Sequence, residues 1–218
     1  MQTEPDTLTR LGGWLFRHRT SLPVPVAAAL LTLRVGQAPP STALVASGVA
    51  VTALGELLRL WGVHHIGAIS RTRSDRLGPL VASGPFARLR NPLYVGNIAL
   101  WVGFALTARL VWLAPVVVLL LGLEYHAIVR WEERLLESRL GEAYRAYAAR
   151  VPRWLPTPTF NRRERRDRKE KDLSAASAGS AVKRDRDAFS WRETLFSERG
   201  TFAAIAVGYL LLWLKARF

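Results

Sequence analysis

Residues 93–123 read LYVGNIALWVGFALTARLVWLAPVVVLLLGL, and in these 31 positions the only charged side chain is Arg109. The stretch is apolar on all sides, so a helix made from it has no face that water would solvate. Arg109 divides it into two halves of helical length, which predicts a pair of adjacent membrane helices joined by a tight turn. Three further runs are nearly free of charge: 21–33, 42–55 and 201–214. Trp14, Trp61, Trp101, Trp112, Tyr125, Trp131 and Trp213 fall near the ends of these runs, where interfacial aromatics belong. Flanking arginines and lysines lengthen the effective spans by snorkelling. The pattern predicts an all-α integral membrane bundle of about five transmembrane helices.

The composition agrees once charge and hydropathy are seen to be segregated. The chain has 218 residues, is 50% hydrophobic, and carries 31 Lys+Arg against 17 Asp+Glu, for a formal charge of +14. Its mean hydropathy is nevertheless positive, at +0.09. Disorder throughout is excluded by the apolar content. The absence of cysteine excludes disulfides, thiolate metal sites and cysteine nucleophiles. Only four histidines are present, and His64-His65 lacks an acidic or histidine partner at helical spacing, so no metal site is expected.

Arginine placement sets the expected orientation. Arg10, Arg17 and Arg19 precede the first run, and Arg71, Arg73, Arg76, Arg88 and Arg90 lie between the second and third. The stretch 130–199 is the most basic of all, whereas 36–41 and the surroundings of Arg109 hold almost no charge. The positive-inside rule then places the N-terminus and the basic loops in the cytoplasm and the C-terminus on the opposite side. Most of the positive charge is a topology signal, and no nucleic-acid partner is needed to explain it. The expected organisation is a cytoplasmic segment at 1–20, a four-helix core at 21–160, a basic mixed-charge linker at 161–188, and an appended transmembrane helix at 189–218. No cleavable leader is expected in 1–19, which is polar and basic.

Three features carry chemistry. Gly78-Pro79, Gly84-Pro85 and Asn91-Pro92 shape an irregular loop that enters the apolar helix at Leu93-Tyr94. Glu132 and Glu133 are adjacent carboxylates where the fourth membrane helix leaves the bilayer. Leu136, Leu140, Gly141, Tyr144, Tyr147, Val151 and Pro152 follow, on a helix expected over 132–150. Asn91 and Pro92 suit the N-cap and N1 positions of a helix. Glu56 and Arg59, three residues apart, are expected to pair, and Gly48 and Gly55 to mark close helix packing.

Together these residues resemble the isoprenylcysteine carboxyl methyltransferase and phospholipid methyltransferase superfamily of membrane enzymes. Its first motif is a Gly-Pro-Tyr type loop leading to Arg-His-Pro-x-Tyr-x-Gly, matched here by Gly84-Pro85-Phe86 and Arg90-Asn91-Pro92-Leu93-Tyr94-Val95-Gly96. Its second pairs two glutamates with a Gly-x-x-Tyr-x-x-Tyr spacing and a Val-Pro ending. The resemblance covers about 55–156. It implies methyl transfer from S-adenosylmethionine to a lipophilic acceptor at the cytoplasmic face, where membrane lipids are the other partners.

By position, the resemblance implies cofactor contacts at Gly78, Pro79, Leu80, Val81, Phe86, Asn91, Pro92, Leu93, Tyr94 and Glu132. Asn91 stands where the family has His, Phe86 where it has Tyr, and Leu140 where it has Phe. In the prenylcysteine enzymes of the superfamily an acceptor-contacting arginine lies one helical turn before the glutamate pair; that position here is Ile128, and Arg130, nearby on a different face, is the substrate-binding candidate. No catalytic acid or base is assigned, since an in-line methyl displacement needs positioning and water exclusion above all. An NADPH-dependent membrane reductase of related architecture, or a non-catalytic protein that keeps the fold, are the alternatives.

Overall fold

The structure is a computed structural model that describes residues 7–21, 23–67, 80–156 and 190–218. The described residues form helices and connecting turns, without strands. The helices are α1 (Thr7–His18), α2 (Val24–Thr32), α3 (Thr42–Ile66), α4 (Pro92–Thr107), α5 (Leu113–Leu140), α6 (Glu142–Arg150) and α7 (Trp191–Arg217), with a 3-10 turn at Gly84–Ala87. The protein is an all-α membrane bundle. Among the described residues three helices, α3, α5 and α7, are both long and apolar enough to cross a bilayer, and α4 is a shorter apolar helix of 16 residues.

The apolar run 21–33 yields less helix than its composition predicts. Pro23 sits at the N-cap of α2, Pro25 lies in its first turn, and Leu33 turns extended at ψ 131°. Nine helical residues reach only about 14 Å, roughly half a hydrocarbon core. In α3, α5 and α7 the helix instead continues well past the apolar run into polar sequence, giving 25, 28 and 27 residues.

The tightest packing is between α3 and α4, and glycine makes it possible. A Cβ on Gly103 would lie 2.6 Å from the Gly48 carbonyl oxygen, and one on Gly48 would lie 2.8 Å from the Gly103 oxygen. One heptad along, Gly55 and Gly96 stand in the same reciprocal relation, at 2.8 and 2.7 Å. Two backbones in direct contact exclude any side chain between them, which is the small-residue packing expected of membrane helices.

The two charge-poor connections meet at one end of the bundle. Ala38 N donates to the Arg109 carbonyl at 2.8 Å, and Gln37 Nε2 to the Ala108 carbonyl at 3.0 Å. Arg109 takes a left-handed φ of 60° to make the turn between α4 and α5. Lys215 Nζ, near the end of α7, donates to the Leu30 carbonyl at 2.7 Å, so the C-terminus lies at this end too.

Helix α7 runs antiparallel to α3 and is tied to it by polar contacts. Arg59 pairs with Glu56 at 3.2 Å on its own helix and with Glu198 of α7 at 2.6 Å. The same guanidinium donates to Asn97 of α4 and to Thr201 of α7. Further along, the Tyr209 hydroxyl donates to Thr52 Oγ1 at 2.7 Å. His64 stacks on Trp191 with ring centroids 4.2 Å apart.

Candidate active site

The end of the bundle opposite Arg109 holds the sequence motifs. The loop before α4 arrives through the Gly84–Ala87 turn. Gly84 has φ 57°, and a Cβ there would come within 2.4 Å of the His65 ring at the end of α3. Glycine is therefore required twice over, by backbone conformation and by contact. Phe86 is buried, and its carbonyl accepts a 2.8 Å hydrogen bond from the Tyr147 hydroxyl of α6. Leu80 packs with Tyr144, Tyr147 and Val151 in a small cluster, and Val81 is buried beside it in sequence. Burial pushes the Tyr144 phenol up to about 12 and the Tyr147 phenol higher still, so both stay protonated hydrogen-bond donors.

Asn91 occupies the N-cap position of α4, with Pro92 buried at N1, but its side chain does not cap the helix. Its amide instead donates to the Arg153 carbonyl at 3.1 Å, while Arg90 N donates to the Pro152 carbonyl at 2.9 Å. The Val151-Pro152-Arg153 segment is thus strapped to the start of α4 by two hydrogen bonds. Leu93 turns toward α3, where its Cδ2 fills the space a Cβ on Gly62 would take.

Glu132 and Glu133 point to different faces of α5, as neighbours about 100° apart on a helix must. Glu132 faces α4. The Tyr94 hydroxyl donates to its Oε1 at 3.0 Å, and the Tyr94 ring stacks on Tyr125 at 4.7 Å between centroids. Trp131 next to it packs on Phe16 of α1. Glu133 faces α6 and the strap. Arg153 grips it with Nε at 3.0 Å and Nη2 at 2.6 Å, and Arg90 Nη1 adds a contact at 3.1 Å. This ion pair holds the Arg153 guanidinium above its ordinary pKa.

Arg130 belongs to the Glu133 side. Together with Arg134 and Glu137 it follows the spacing of one helix face and borders a cavity of about 470 Å³ reached also by Arg90 and Arg153. The residues singled out by sequence therefore fall into separate groups. Tyr94 and Glu132 meet directly; Leu80, Val81 and Phe86 pack with or beside α6; Arg130 lies on the far side of α5 from Glu132. Gly78 and Pro79 lie outside the described residues. Sequence reasoning missed Arg90 and Arg153 as the partners of Glu133, and Tyr125 as the ring behind Tyr94. Tyr125 stands two turns before Glu132 on the same face, a spacing visible in the sequence.

A Glu132 carboxylate backed by aromatic faces, at the end of an apolar helix, suits a cationic ligand. Comparisons with known proteins give the arrangement a context. A family model described as phospholipid methyltransferase matches residues 43–143, from the start of α3 to the start of α6. The chain is 31% identical to the nickel-cobalt-cadmium resistance protein NccN of Alcaligenes xylosoxydans xylosoxydans over 160 residues, covering 71% of this chain and 72% of that protein. It is 30% identical to the cobalt-zinc-cadmium resistance protein CzcN of Cupriavidus metallidurans over 169 residues, covering 74% and 75%. The span matched by the family model carries the glycine-packed α3–α4 pair, Tyr94, and the adjacent Glu132 and Glu133 of α5. On these grounds the chain belongs to the phospholipid methyltransferase family.

Proposed function

We propose that the protein transfers a methyl group from S-adenosylmethionine to a lipophilic acceptor at the cytoplasmic membrane face. The observation that carries this reading is Glu132, presented by Tyr94 at the polar end of an apolar helix, within the span that matches the family. The residues fit the cofactor's chemistry. A sulfonium and an ammonium call for a carboxylate and π faces, and Glu132, Tyr94 and Tyr125 supply these side by side. When bound, the cofactor supplies an electrophilic methyl group.

The chain's own part is to bind, orient and exclude water. Tyr94 fixes one oxygen of Glu132 and leaves the carboxylate oriented toward α4. The apolar faces of α4 and α5 bring a lipophilic acceptor in from the bilayer side. Keeping water from the reacting centre favours displacement over hydrolysis and strengthens every electrostatic contact there.

The relatives' names place those proteins in resistance to metals. Among the described residues no three His, Cys, Asp or Glu side chains gather as a metal site. We read any part in metal tolerance here as acting through a methylated membrane component. Calorimetric titration of detergent-purified protein tests the cofactor assignment. Saturable heat with S-adenosylmethionine and S-adenosylhomocysteine is expected; heat with NADPH alone would sink the proposal. Lipids extracted from membranes after incubation with methyl-labelled cofactor would then identify the acceptor.

A further inference from the structure

Helix α1 lies outside the span that matches the family, yet its packing aims a cation at the Glu132 site. Its buried residues are Thr9, Gly12, Gly13 and Phe16, which follow the spacing of one helix face. That face sits directly on α5. A Cβ on Gly12 would lie 2.0 Å from the Ala127 carbonyl oxygen, and one on Gly13 would lie 2.9 Å from the Trp131 indole nitrogen. Contact this close fixes α1 in depth and rotation, because sliding it along α5 would drive larger side chains into the space the glycines leave.

Arg19 continues the same face. It follows Phe16 by three residues and Gly12 by seven, just past His18, the last residue of the helix. Arg17 and His18 are exposed, whereas Arg19 is half-buried. Its Cζ lies 4.0 Å from the centroid of the Phe16 ring, and Phe16 packs on Trp131 with ring centroids 4.9 Å apart. Trp131 is the neighbour of Glu132 in the chain, so these contacts carry the guanidinium to the edge of the site. There its charge acts on Tyr94, Tyr125 and Glu132 together. Among the described residues Arg19 has no carboxylate within ion-pair distance, whereas Arg90 and Arg153 are held by Glu133.

The amino-acid end of S-adenosylmethionine carries an ammonium and a carboxylate on the same carbon. Glu132 suits the ammonium, but it repels the carboxylate beside it unless a cation stands opposite. A guanidinium meets a carboxylate through two parallel N–H donors, a geometry that an ammonium does not offer. We infer that Arg19 binds the carboxylate of the cofactor's amino-acid end while Glu132 takes its ammonium, so that α1 completes the cofactor site from outside the family span. The inference rests on the cofactor reading given above and adds to it a binding residue that the sequence motifs do not contain.

The test uses full-length protein in maltoside micelles, titrated calorimetrically with S-adenosylhomocysteine and with its decarboxylated analogue, which keeps the adenosine, the sulfur and the amine. Wild type should prefer S-adenosylhomocysteine by about tenfold, the effect of one hydrogen bond between charged groups. Arg19→Gln should weaken S-adenosylhomocysteine about tenfold. It should leave the analogue as tight or tighter, since that cationic ligand no longer meets a like charge. Retained binding of the analogue also shows that the variant is folded. Arg19→Lys should restore part of the affinity, and Arg17→Gln, exposed on the same helix, should change neither ligand. Three results overturn the inference: a wild type that binds both ligands equally, an Arg19→Gln that binds S-adenosylhomocysteine like wild type, or one that weakens both ligands alike. Each of these leaves the cofactor reading standing. No saturable heat from either ligand in wild type would fell that reading and this inference with it.

Discussion

The Tyr94 hydroxyl donates a 3.0 Å hydrogen bond to Oε1 of Glu132, joining the first turn of α4 to the polar end of α5. Thirty-eight residues separate the two in sequence. Tyr94 can hold this position because its ring is stacked on Tyr125, which is itself buried in the core.

Removing only the hydroxyl separates orientation from packing. Tyr94→Phe keeps the ring and the stack but frees the carboxylate. A lost charge-assisted hydrogen bond costs about 1.5–3 kcal/mol; because the bond exists in the ligand-free protein, the melting temperature should fall by several degrees, and the freed carboxylate should in addition bind S-adenosylhomocysteine more weakly. Calorimetry and thermal unfolding on the same preparation check both halves. A large drop in melting temperature with unchanged affinity would make the bond structural.

Glu132→Ala and Glu133→Ala should fail differently. The first removes the carboxylate held by Tyr94 and should abolish most cofactor binding. The second leaves Arg90 and Arg153 without their shared partner and loosens the strap at Val151-Pro152-Arg153. That pair is partly exposed, which puts its loss at about 1–2 kcal/mol of stability, between the values for surface and buried pairs. Equal, negligible effects on binding would show that the assignment of the two glutamates is wrong.

Gly103→Ala tests the α3–α4 contact. The new methyl meets backbone atoms, the Gly48 oxygen at 2.6 Å and Thr52 N at 2.7 Å, as well as Thr52 Oγ1, so side-chain adjustment cannot relieve it. The helices must separate, at a cost of about 1–3 kcal/mol. Gly122→Ala on α5 has nothing within 4 Å of the added carbon and should be neutral or slightly stabilising. Parallel melting curves in detergent distinguish them.

Much of this architecture was legible in advance because it rests on local pattern. The run 93–123, charged only at Arg109, announced two helices and the turn between them, and Gly48 and Gly55 announced close packing. Glu132 and Glu133 were bound to diverge, since helical pitch separates neighbours. The shortness of α2 was hidden because hydropathy counts apolar residues but does not report where Leu33 leaves the helix. The grip of Arg153 on Glu133 and of Glu198 on Arg59 was also hidden. These pairs are 20 and 139 residues apart, and only the tertiary arrangement brings them together. Asn91 shows the same limit: it takes the N-cap position that sequence implies, yet its amide is drawn off by the Arg153 carbonyl.

The Glu56–Arg59–Glu198 group offers the sharpest test of how α7 is held. Both carboxylates are buried, and Arg59 lies between them with Asn97 and Thr201 as further acceptors. Arg59→Met removes the cation that bridges the buried carboxylates of Glu56 and Glu198 on neighbouring helices, a loss of about 3–5 kcal/mol. Glu198→Gln should cost less, because Arg59 keeps Glu56 and the amide still accepts a hydrogen bond. Combining Arg59→Met with Glu56→Gln and Glu198→Gln should recover part of the loss, since the carboxylates that Arg59 bridged are then neutral. Thermal unfolding of the full chain in detergent gives the order directly. If Arg59→Met melted no lower than Glu198→Gln, the cluster would not be what secures α7 against α3 and α4.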